Sequence, residues 1–255
     1  MSGHWQALVL AGGRGPDDPM AKAYGVSHKC LMEIAGVPML QRVLDTLSAE
    51  PAIGQIAVSI ETPELLAGLR SRAVHAPTST SAARSAIAAI ETGAVGMPLL
   101  LTTGDHPLLT PAMLRHFLSA SERSTADLCV GLARAETILA AYPQSKRTFL
   151  TFGPDRVSGC NLFALKTPRA LKALERWQYL EALRKKPWRL FGAFGPVALA
   201  RFITGAITLK GAFAIASRKL GLHAEAILMP FAEAAIDVDK PADKELAELI
   251  LTRQG

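Results

Sequence analysis

A glycine-rich loop follows the first apolar run of the 255-residue sequence. The run ends at Ala11, residues 12–15 read Gly-Gly-Arg-Gly, and Lys29 follows after a spacer. Glycines just past a buried strand let backbone N–H groups approach phosphate oxygens, because no Cβ stands in the way. Arg14 can donate several hydrogen bonds to a phosphate, and Lys29 adds a compact positive charge. The pattern indicates a phosphate-binding site, although it matches neither GxGxxG nor the P-loop. A purely structural glycine turn is the alternative.

Carboxylates end two later segments. Asp105 follows the apolar run of residues 98–103 and Gly104, so we expect it at the end of a buried strand, in the same crevice as the glycine loop. Mg²⁺ is a hard cation that proteins usually hold through one or two carboxylates and substrate phosphates, which makes Asp105 a candidate ligand. A turn-forming aspartate before a proline-containing loop is the alternative. Asp237 and Asp239 alternate in a strand-like segment and therefore share a face.

These motifs together resemble those of the MobA-like NTP transferase family. The resemblance rests on Leu-Ala-Gly-Gly-Arg-Gly at residues 10–15, on Lys-Cys-Leu-Met-Glu-Ile-Ala-Gly-Val-Pro-Met-Leu at residues 29–40, and on Asp-Val-Asp-Lys-Pro-Ala-Asp at residues 237–243. It covers roughly residues 5–165 and 222–252. It implies the GT-A-type α/β fold of a superfamily that includes the sugar-phosphate, CMP-sugar and methylerythritol-phosphate nucleotidyltransferases.

The resemblance implies a role for each motif. The glycine loop and Arg14 would hold the triphosphate, and Lys29 would lie near the α-phosphate, where attack occurs. Asp105 and Asp239 would complete a Mg²⁺ site. The spacer before Lys29 is longer than in many members and contains Lys22. The choice between Arg14 and Lys22 as the triphosphate ligand therefore stays open.

Three further residues are candidates through the same resemblance. Ser81 and Arg84 lie in a segment that contacts the base and ribose in relatives, although N-capping of a helix explains Ser81 almost as well. Asn161 lies at a position that resembles the acceptor-binding Asn of sugar-phosphate relatives. Whether Asp237 joins the metal site is left open. The predicted nucleotide-binding residues are Leu10, Ala11, Gly12, Gly13, Arg14, Gly15, Lys29, Ser81, Arg84 and Gly104.

The motifs predict a Mg²⁺-dependent nucleotidyltransferase. An oxygen of a small phosphorylated acceptor (a sugar, polyol or similar phosphate) would attack the α-phosphorus of an NTP in line and release pyrophosphate, with Lys29 and Arg14 as the catalytic cations. Two alternatives remain: a GT-A glycosyltransferase that uses a nucleotide-sugar, and a non-catalytic nucleotide-binding protein. The glycine loop with Lys29 suits a triphosphate better than a nucleotide-sugar. The presence of both Asp105 and Asp239 argues against a binding-only role.

Short apolar runs and helical patterns alternate along the first half of the chain. The expected strands there are residues 6–11, 55–60, 73–75 and 98–103. The expected helices are residues 38–49, 63–72, 81–92 and 111–121. Such alternation implies βαβ units and a three-layer, Rossmann-like fold whose mainly parallel sheet carries helices on both faces. Later we expect strands at residues 128–133, 149–152, 157–165 and 223–229, a helix-rich region over 168–220 and a closing helix over 242–251.

We predict a single domain over residues 1–255, with residues 166–221 as a helix-rich basic insertion.

The positive charge of the chain is concentrated in this insertion. Residues 166–220 contain twelve Lys and Arg but only two Glu, and the net charge of the whole chain is +6. This imbalance suggests an anionic partner, such as a membrane surface, or contact with a second subunit, whereas solvated amphipathic helices explain it equally well. The aromatic residues of the segment that favour such contacts are Trp177, Trp188, Phe191 and Phe194.

The composition excludes several classes of protein. Half of the residues are hydrophobic and a fifth are charged, which is typical of a folded globular protein. Three widely spaced cysteines predict reduced thiols and a cytoplasmic location. The most membrane-like stretch, residues 190–200, is much shorter than the roughly 20 residues that a spanning helix needs. No nucleic-acid-binding motif accompanies the basic charge, so we expect no nucleic acid partner.

Overall fold

The structure is a computed structural model that describes residues 5–13, 17–145, 147–183 and 207–254. Two predicted site residues, Arg14 and Gly15, lie outside the described residues. So does the middle of the basic segment, residues 184–206, which includes Trp188, Phe191 and Phe194.

Most strands of the described chain join one central sheet. The strands are β1 (Trp5–Leu10), β2 (Glu33–Ile34), β3 (Val37–Pro38), β4 (Ile53–Ser59), β5 (Val74–Ala76), β6 (Leu99–Thr103), β7 (Leu128–Arg134), β8 (Leu150–Phe152), β9 (Asp155–Leu165) and β10 (Ala224–Met229). Their order in the sheet is β10-β7-β9-β6-β1-β4-β5, and β8 pairs with β9. β1 pairs in parallel with β4 and β6, and β4 with β5, whereas β9 runs antiparallel between β6 and β7. β2 and β3 form a separate two-stranded ladder.

Helices cover the sheet between these strands. They are α1 (Pro19–Ala23), α2 (Met39–Ser48), α3 (Ala82–Glu91), α4 (Pro111–Arg123), α5 (Ala135–Ala141), α6 (Leu171–Leu183), α7 (Leu209–Leu220) and α8 (Pro241–Gln254). Side chains satisfy the unpaired N–H groups at several helix starts. Thr110 accepts a hydrogen bond from the N–H of Met113 at the start of α4, and Thr208 accepts one from Gly211 at the start of α7.

The observed architecture confirms the predicted three-layer, mainly parallel α/β fold, and most elements lie within two residues of their predicted bounds. One predicted helix is wrong, because residues 63–72 form only a 3₁₀ turn over Pro63–Gly68. No residue of that turn is fully buried and Gly68 ends it, so the segment has no apolar face that would hold a longer helix. The sequence did not predict α1 and α5, which are five and seven residues long. Helices of that length carry too few residues for a periodic pattern.

The central strands are buried on both faces. In β1, Ala7 and Val9 belong to one hydrophobic core with residues of α2 and α4, whereas Leu8 belongs to a second core with residues of α3. Successive side chains of a strand point to opposite faces, so an uninterrupted apolar run is what a doubly covered strand requires. From β1 the chain continues to β4 and β5 on one side of the sheet, and it later returns to β6 on the other side of β1. Ligands of open α/β sheets bind beyond the carboxyl ends of the strands where the strand order reverses in this way.

A substitution at Leu100 tests how much the central core contributes to the free energy of unfolding. Its side chain is fully buried in β6, whereas Leu249 on α8 is about half exposed. We expect Leu100→Ala to lower the free energy of unfolding by about 2–5 kcal/mol, because it leaves a cavity that packed strands cannot fill. Leu249→Ala, the control, should change it by less than about 0.5 kcal/mol. Urea unfolding followed by circular dichroism measures both. Equal effects would show that the core is not organised around β6.

Candidate active site

Lys29 lies between the two carboxylates that the sequence pairs in a metal site. Its Nζ is 2.6 Å from Asp105 Oδ2 and 2.8 Å from Asp239 Oδ1. Lys29 begins a short 3₁₀ turn, Asp105 follows β6, and Asp239 lies in the loop before α8. The fold therefore brings the three motifs to one point at the carboxyl edge of the sheet.

The surroundings of Lys29 keep it charged. Burial by itself lowers the pKa of the Lys29 ammonium, but the charge and hydrogen bond of Asp105, with those of Asp239, outweigh burial and raise the pKa above its ordinary value. Lys29 and Asp105 are less than a fifth exposed, so water screens their attraction weakly. Lys29 is thus a protonated cation at neutral pH. Burial first, and then Asp105, raises the pKa of the neighbouring Cys30 thiol to about 12, so this cysteine is not a nucleophile.

The two carboxylates have the chemistry to bind a magnesium ion that substrate phosphates would also hold. The Oδ1 atom of Asp105 is buried and has no hydrogen-bond partner within the described part of the chain, which is the condition of an oxygen that a cation would satisfy. The backbone oxygen of Asp105 accepts a hydrogen bond from Val238, which ties the end of β6 to the segment that carries Asp239. Residues 5–13, 17–145, 147–183 and 207–254 contain no group of three or more potential metal-binding side chains. Two carboxylates completed by phosphate oxygens match the usual Mg²⁺ site.

Asp237 belongs to a separate polar network. It forms an ion pair with Arg147, and it accepts a hydrogen bond from Asn161 Nδ2 at 2.9 Å. Arg147 also donates to the backbone oxygen of Asp237. These contacts hold the side chain of Asp237 against β9, while Asp239 contacts Lys29. Arg147 was not predicted from the sequence, because it lies in an irregular segment without a motif or a periodic pattern.

The backbone of the glycine loop already binds a carboxylate. The N–H of Gly13 lies 3.0 and 3.1 Å from the two side-chain oxygens of Glu61, which follows β4. A Cβ at Gly12 would lie only 3.0 Å from Glu61 Oε1, so the glycine permits this approach. His28 Nε2 is 3.5 Å from Glu61 Oε2. Glu61 therefore occupies a donor that the sequence assigns to a phosphate. The sequence indicated Glu61 only through its position just after the predicted strand at residues 55–60.

Gly104 gives the loop room beside β6. Its N–H donates to the oxygen of Leu10 at 2.9 Å. A Cβ at Gly104 would lie 3.2 Å from the Cβ of Ala11 and 3.3 Å from that of Cys30, closer than most real contacts. The absence of a side chain thus lets the end of β6, the glycine loop and the Lys29 turn pack together.

The other predicted residues lie around this centre. Ser81 caps α3 by accepting a hydrogen bond from the N–H of Arg84 at 3.3 Å, as the capping alternative expects. The guanidinium of Arg84 is 3.4 Å from Glu91 on the same helix. Lys22 contacts Asp17 at 2.7 Å, and both side chains are exposed. A contact of Ser81, Arg84 or Lys22 with nucleotide stays a prediction.

One cavity of about 280 Å³ lies beside the Lys29 centre and the glycine loop, and Ser81, Arg84 and Lys22 are not among its lining residues. Its lining combines the glycine loop, the charged centre and an apolar part formed by the sheet and α6. The lining residues are Leu10, Gly12, Gly13, Asp18, Lys29, Ala82, Leu101, Thr102, Thr103, Asp105, Asn161, Phe163, Trp177 and Asp239. It therefore offers space for a phosphate-bearing ligand next to the Lys29 ammonium.

The family model of the MobA-like NTP transferase domain matches residues 7–190, which contain the glycine loop, Lys29 and Asp105. The chain belongs to this family. Membership of the MobA-like NTP transferases makes the protein nucleotidyltransferase-like, and it confirms the family resemblance of the motifs at residues 10–15 and 29–40. Asp239 lies beyond the matched residues and reaches the site through the contact with Lys29.

Solved structures support the same fold. A hypothetical transferase from Thermus thermophilus is 30% identical, with 94% of this chain and 99% of that chain covered and a TM-score of 0.81. A 4-diphosphocytidyl-2C-methyl-D-erythritol synthase from Anaerococcus prevotii is 12% identical, with 99% and 100% covered and a TM-score of 0.59. The molybdopterin-guanine dinucleotide biosynthesis protein A from Archaeoglobus fulgidus is 13% identical, with 97% and 99% covered and a TM-score of 0.54. A search of curated proteins gave no significant match.

Glu61 should compete with phosphate for the glycine loop of this MobA-like protein. We expect Glu61→Gln to raise the affinity for inorganic triphosphate about fivefold, because the variant removes a negative charge beside the Gly13 N–H. The effect is modest because contacts of exposed charges are weak. Isothermal titration calorimetry with triphosphate measures the change. Glu64→Gln, an equal charge change at an exposed residue of the following 3₁₀ turn, is the control and should have little effect. Weaker binding by Glu61→Gln would mean that Glu61 assists the ligand.

Proposed function

We propose that the protein is a Mg²⁺-dependent nucleotidyltransferase that transfers NMP from an NTP to a small phosphorylated acceptor, with release of pyrophosphate. The observation that carries this proposal is the contact of Lys29 with both Asp105 and Asp239 beside the glycine loop. A partly buried cation, two carboxylates and backbone donors next to one cavity supply what phosphoryl transfer requires, which is positioning and neutralisation of charge.

The reaction is an in-line displacement at the α-phosphorus. An oxygen of the acceptor phosphate forms the new P–O bond, and the bond to the bridging oxygen of the departing pyrophosphate breaks. The acceptor phosphate is already ionised at neutral pH, so the step requires no general base. Lys29 offsets the negative charge that accumulates around the α-phosphorus, and the N–H of Gly13 binds the pyrophosphate in place of Glu61.

Asp105 and Asp239 are the residues that would hold Mg²⁺. When bound, the ion would neutralise part of the triphosphate's charge. Lys29 contacts Oδ2 of Asp105 and Oδ1 of Asp239, so the ion would share these two carboxylates with the ammonium. Asp237 is engaged by Arg147 and Asn161, and we propose that it positions Asn161 beside the acceptor rather than binding the ion.

The overall organisation forms part of the proposal. We treat the chain as one domain with a basic insertion, because β10, beyond that insertion, pairs with β7 over six residues of the central sheet. The three cysteines are buried and free, which supports a cytoplasmic location. Among the described helices, none combines the length and the apolar character that crossing a bilayer demands. Contact of the basic segment with a membrane surface or a second subunit stays a prediction.

Pyrophosphate release tests the proposed reaction. Each of the four NTPs is incubated with Mg²⁺ and a panel of sugar, polyol and other small phosphates. We expect release that depends on one NTP and on an acceptor, and that stops when EDTA removes the metal or when Asp105 is replaced in Asp105→Asn. Release from a nucleotide-sugar instead would support the glycosyltransferase alternative. NTP binding without turnover on any acceptor would support a binding-only protein.

Lys29→Ala separates binding from chemistry. We expect kcat to fall by about 10²- to 10³-fold, the usual effect of removing one preorganised charge from the transition state, while the Kd for NTP changes less than about tenfold. Steady-state kinetics and calorimetry measure the two quantities. Lys210→Ala, an exposed lysine on α7, is the control and should keep the wild-type kcat. An unchanged kcat in Lys29→Ala would remove Lys29 from the mechanism.

A further inference from the structure

One face of three neighbouring strands forms the apolar floor of the cavity. Leu10 of β1 pairs with Thr103 of β6, and Leu101 of β6 pairs with Phe163 of β9. Paired residues share a face, and so do residues two apart in a strand, so these four side chains lie on the same side of the sheet. Trp177 of α6 covers this floor, with its ring centroid 5.6 Å from that of Phe163 and the planes tilted by 36°.

Both rings line the cavity with part of their surface. Phe163 and Trp177 are only partly buried, and both border the same cavity as Lys29 and Asp105. They also pack against the second hydrophobic core, which fixes their positions. An indole held in this way gives a ligand a rigid, apolar wall at little entropic cost.

A polar group lies beside this wall. The Oγ1 atom of Thr103 is buried and has no hydrogen-bond partner within the described part of the chain, although a hydroxyl both donates and accepts. Asn161, two residues before Phe163, lines the cavity and is held by Asp237. Thr103 and Asn161 thus place polar groups beside the apolar wall, an arrangement that suits a ligand with both an apolar face and polar substituents. A hydrocarbon ligand would leave Thr103 unpaired.

The position of the wall assigns it to the acceptor. The glycine loop and Ala82 border the cavity on the side of β1 and α3, whereas Phe163 and Asn161 lie on β9, on the other side of β6. Lys29 and Asp105 lie at the end of the strands between them. If an NTP places its phosphates on the glycine loop, an acceptor whose phosphate reaches Lys29 extends its body over β9 and beneath Trp177.

We propose that Trp177 and Phe163 select an acceptor with a ring, such as a cyclic sugar phosphate or a cyclitol phosphate, over an open-chain polyol phosphate. This inference rests on the proposed function. A saturated ring has a flat C–H face that stacks on the indole, while its edge carries hydroxyls that reach Thr103 and Asn161. An open-chain polyol alternates its hydroxyls around a flexible chain, so it has no continuous apolar face, and ordering it has a larger entropic cost.

A matched pair of probes tests the selection directly. Glucose 6-phosphate and glucitol 6-phosphate differ mainly in ring closure, and inositol 1-phosphate and glycerol 3-phosphate extend the comparison. We expect calorimetry to show that the cyclic probes bind wild-type protein about threefold to tenfold more tightly than the open-chain probes, the usual range for one aromatic contact. Equal affinities, or no binding of any of the four, would overturn the inference.

Variants of the wall and floor identify the residues responsible. Trp177→Ala should abolish the preference for rings, Trp177→Phe should keep most of it, and Thr103→Val should weaken the cyclic probes while leaving triphosphate binding unchanged. Thermal melting confirms that each variant is folded, and Trp177→Phe carries the comparison if the alanine variant is not. The affinity of Trp177→Ala for NTP should stay within twofold of wild type. A loss of NTP affinity instead would mean that Trp177 stacks on the nucleobase, which would overturn the assignment to the acceptor.

The two proposals fail in different ways. Tight binding of cyclic phosphates without pyrophosphate release from any NTP would refute the nucleotidyltransferase and keep the ring-binding cavity. Pyrophosphate release with equal kcat/KM for glucose 6-phosphate and glucitol 6-phosphate would keep the enzyme and refute the selection by Trp177.

Discussion

The ammonium of Lys29 between Asp105 and Asp239 is the interaction on which the rest of the site depends. The largely buried carboxylate of Asp105 and the half-exposed one of Asp239 would repel each other at the edge of the sheet, unless a positive charge lay between them. Lys29 supplies that charge at 2.6 and 2.8 Å. The contact also fixes three segments that the sheet alone does not align: the turn after α1, the end of β6 and the loop before α8.

The same complementarity of charge extends through the surrounding residues. Glu61 satisfies the N–H of Gly13, and Arg147 satisfies Asp237. Among the described residues, the Lys29 ammonium, the N–H of Gly13 and the carboxylate of Asp237 therefore each contact a group of the chain with the opposite polarity. A ligand that carries both phosphates and a divalent cation offers charges of the signs that would replace these contacts. This pairing explains how a concentrated set of charges is compatible with a stable fold.

The sequence predicted the parts of this site that depend on local patterns. The buried strands of the first half, and the residues that follow β1 and β6, were readable because a strand covered on both faces leaves a continuous apolar run. The parallel pairing of β1 and β6 brings the glycine loop and Asp105 to one edge, whereas Lys29 reaches Asp105 from a 3₁₀ turn outside the sheet. Glu61 and Arg147 were not predicted, because their roles come from neighbours across the sheet rather than from spacing along the chain. Trp177 appeared only as one aromatic residue of a basic segment, since a helical pattern does not show which strand it covers.

The large sequence separation between the residues of this site has a consequence for how the chain folds. Lys29 and Asp239 are 210 residues apart, and β9 enters the sheet between β6 and β7 only after both have been made. Contacts of such separation close long loops and slow the search for the native state. During synthesis on the ribosome, the early strands and helices can pack while Asp239, the second carboxylate partner of Lys29, has not yet been made. We therefore expect the charged centre to be completed late as the chain folds, after the early strands have paired.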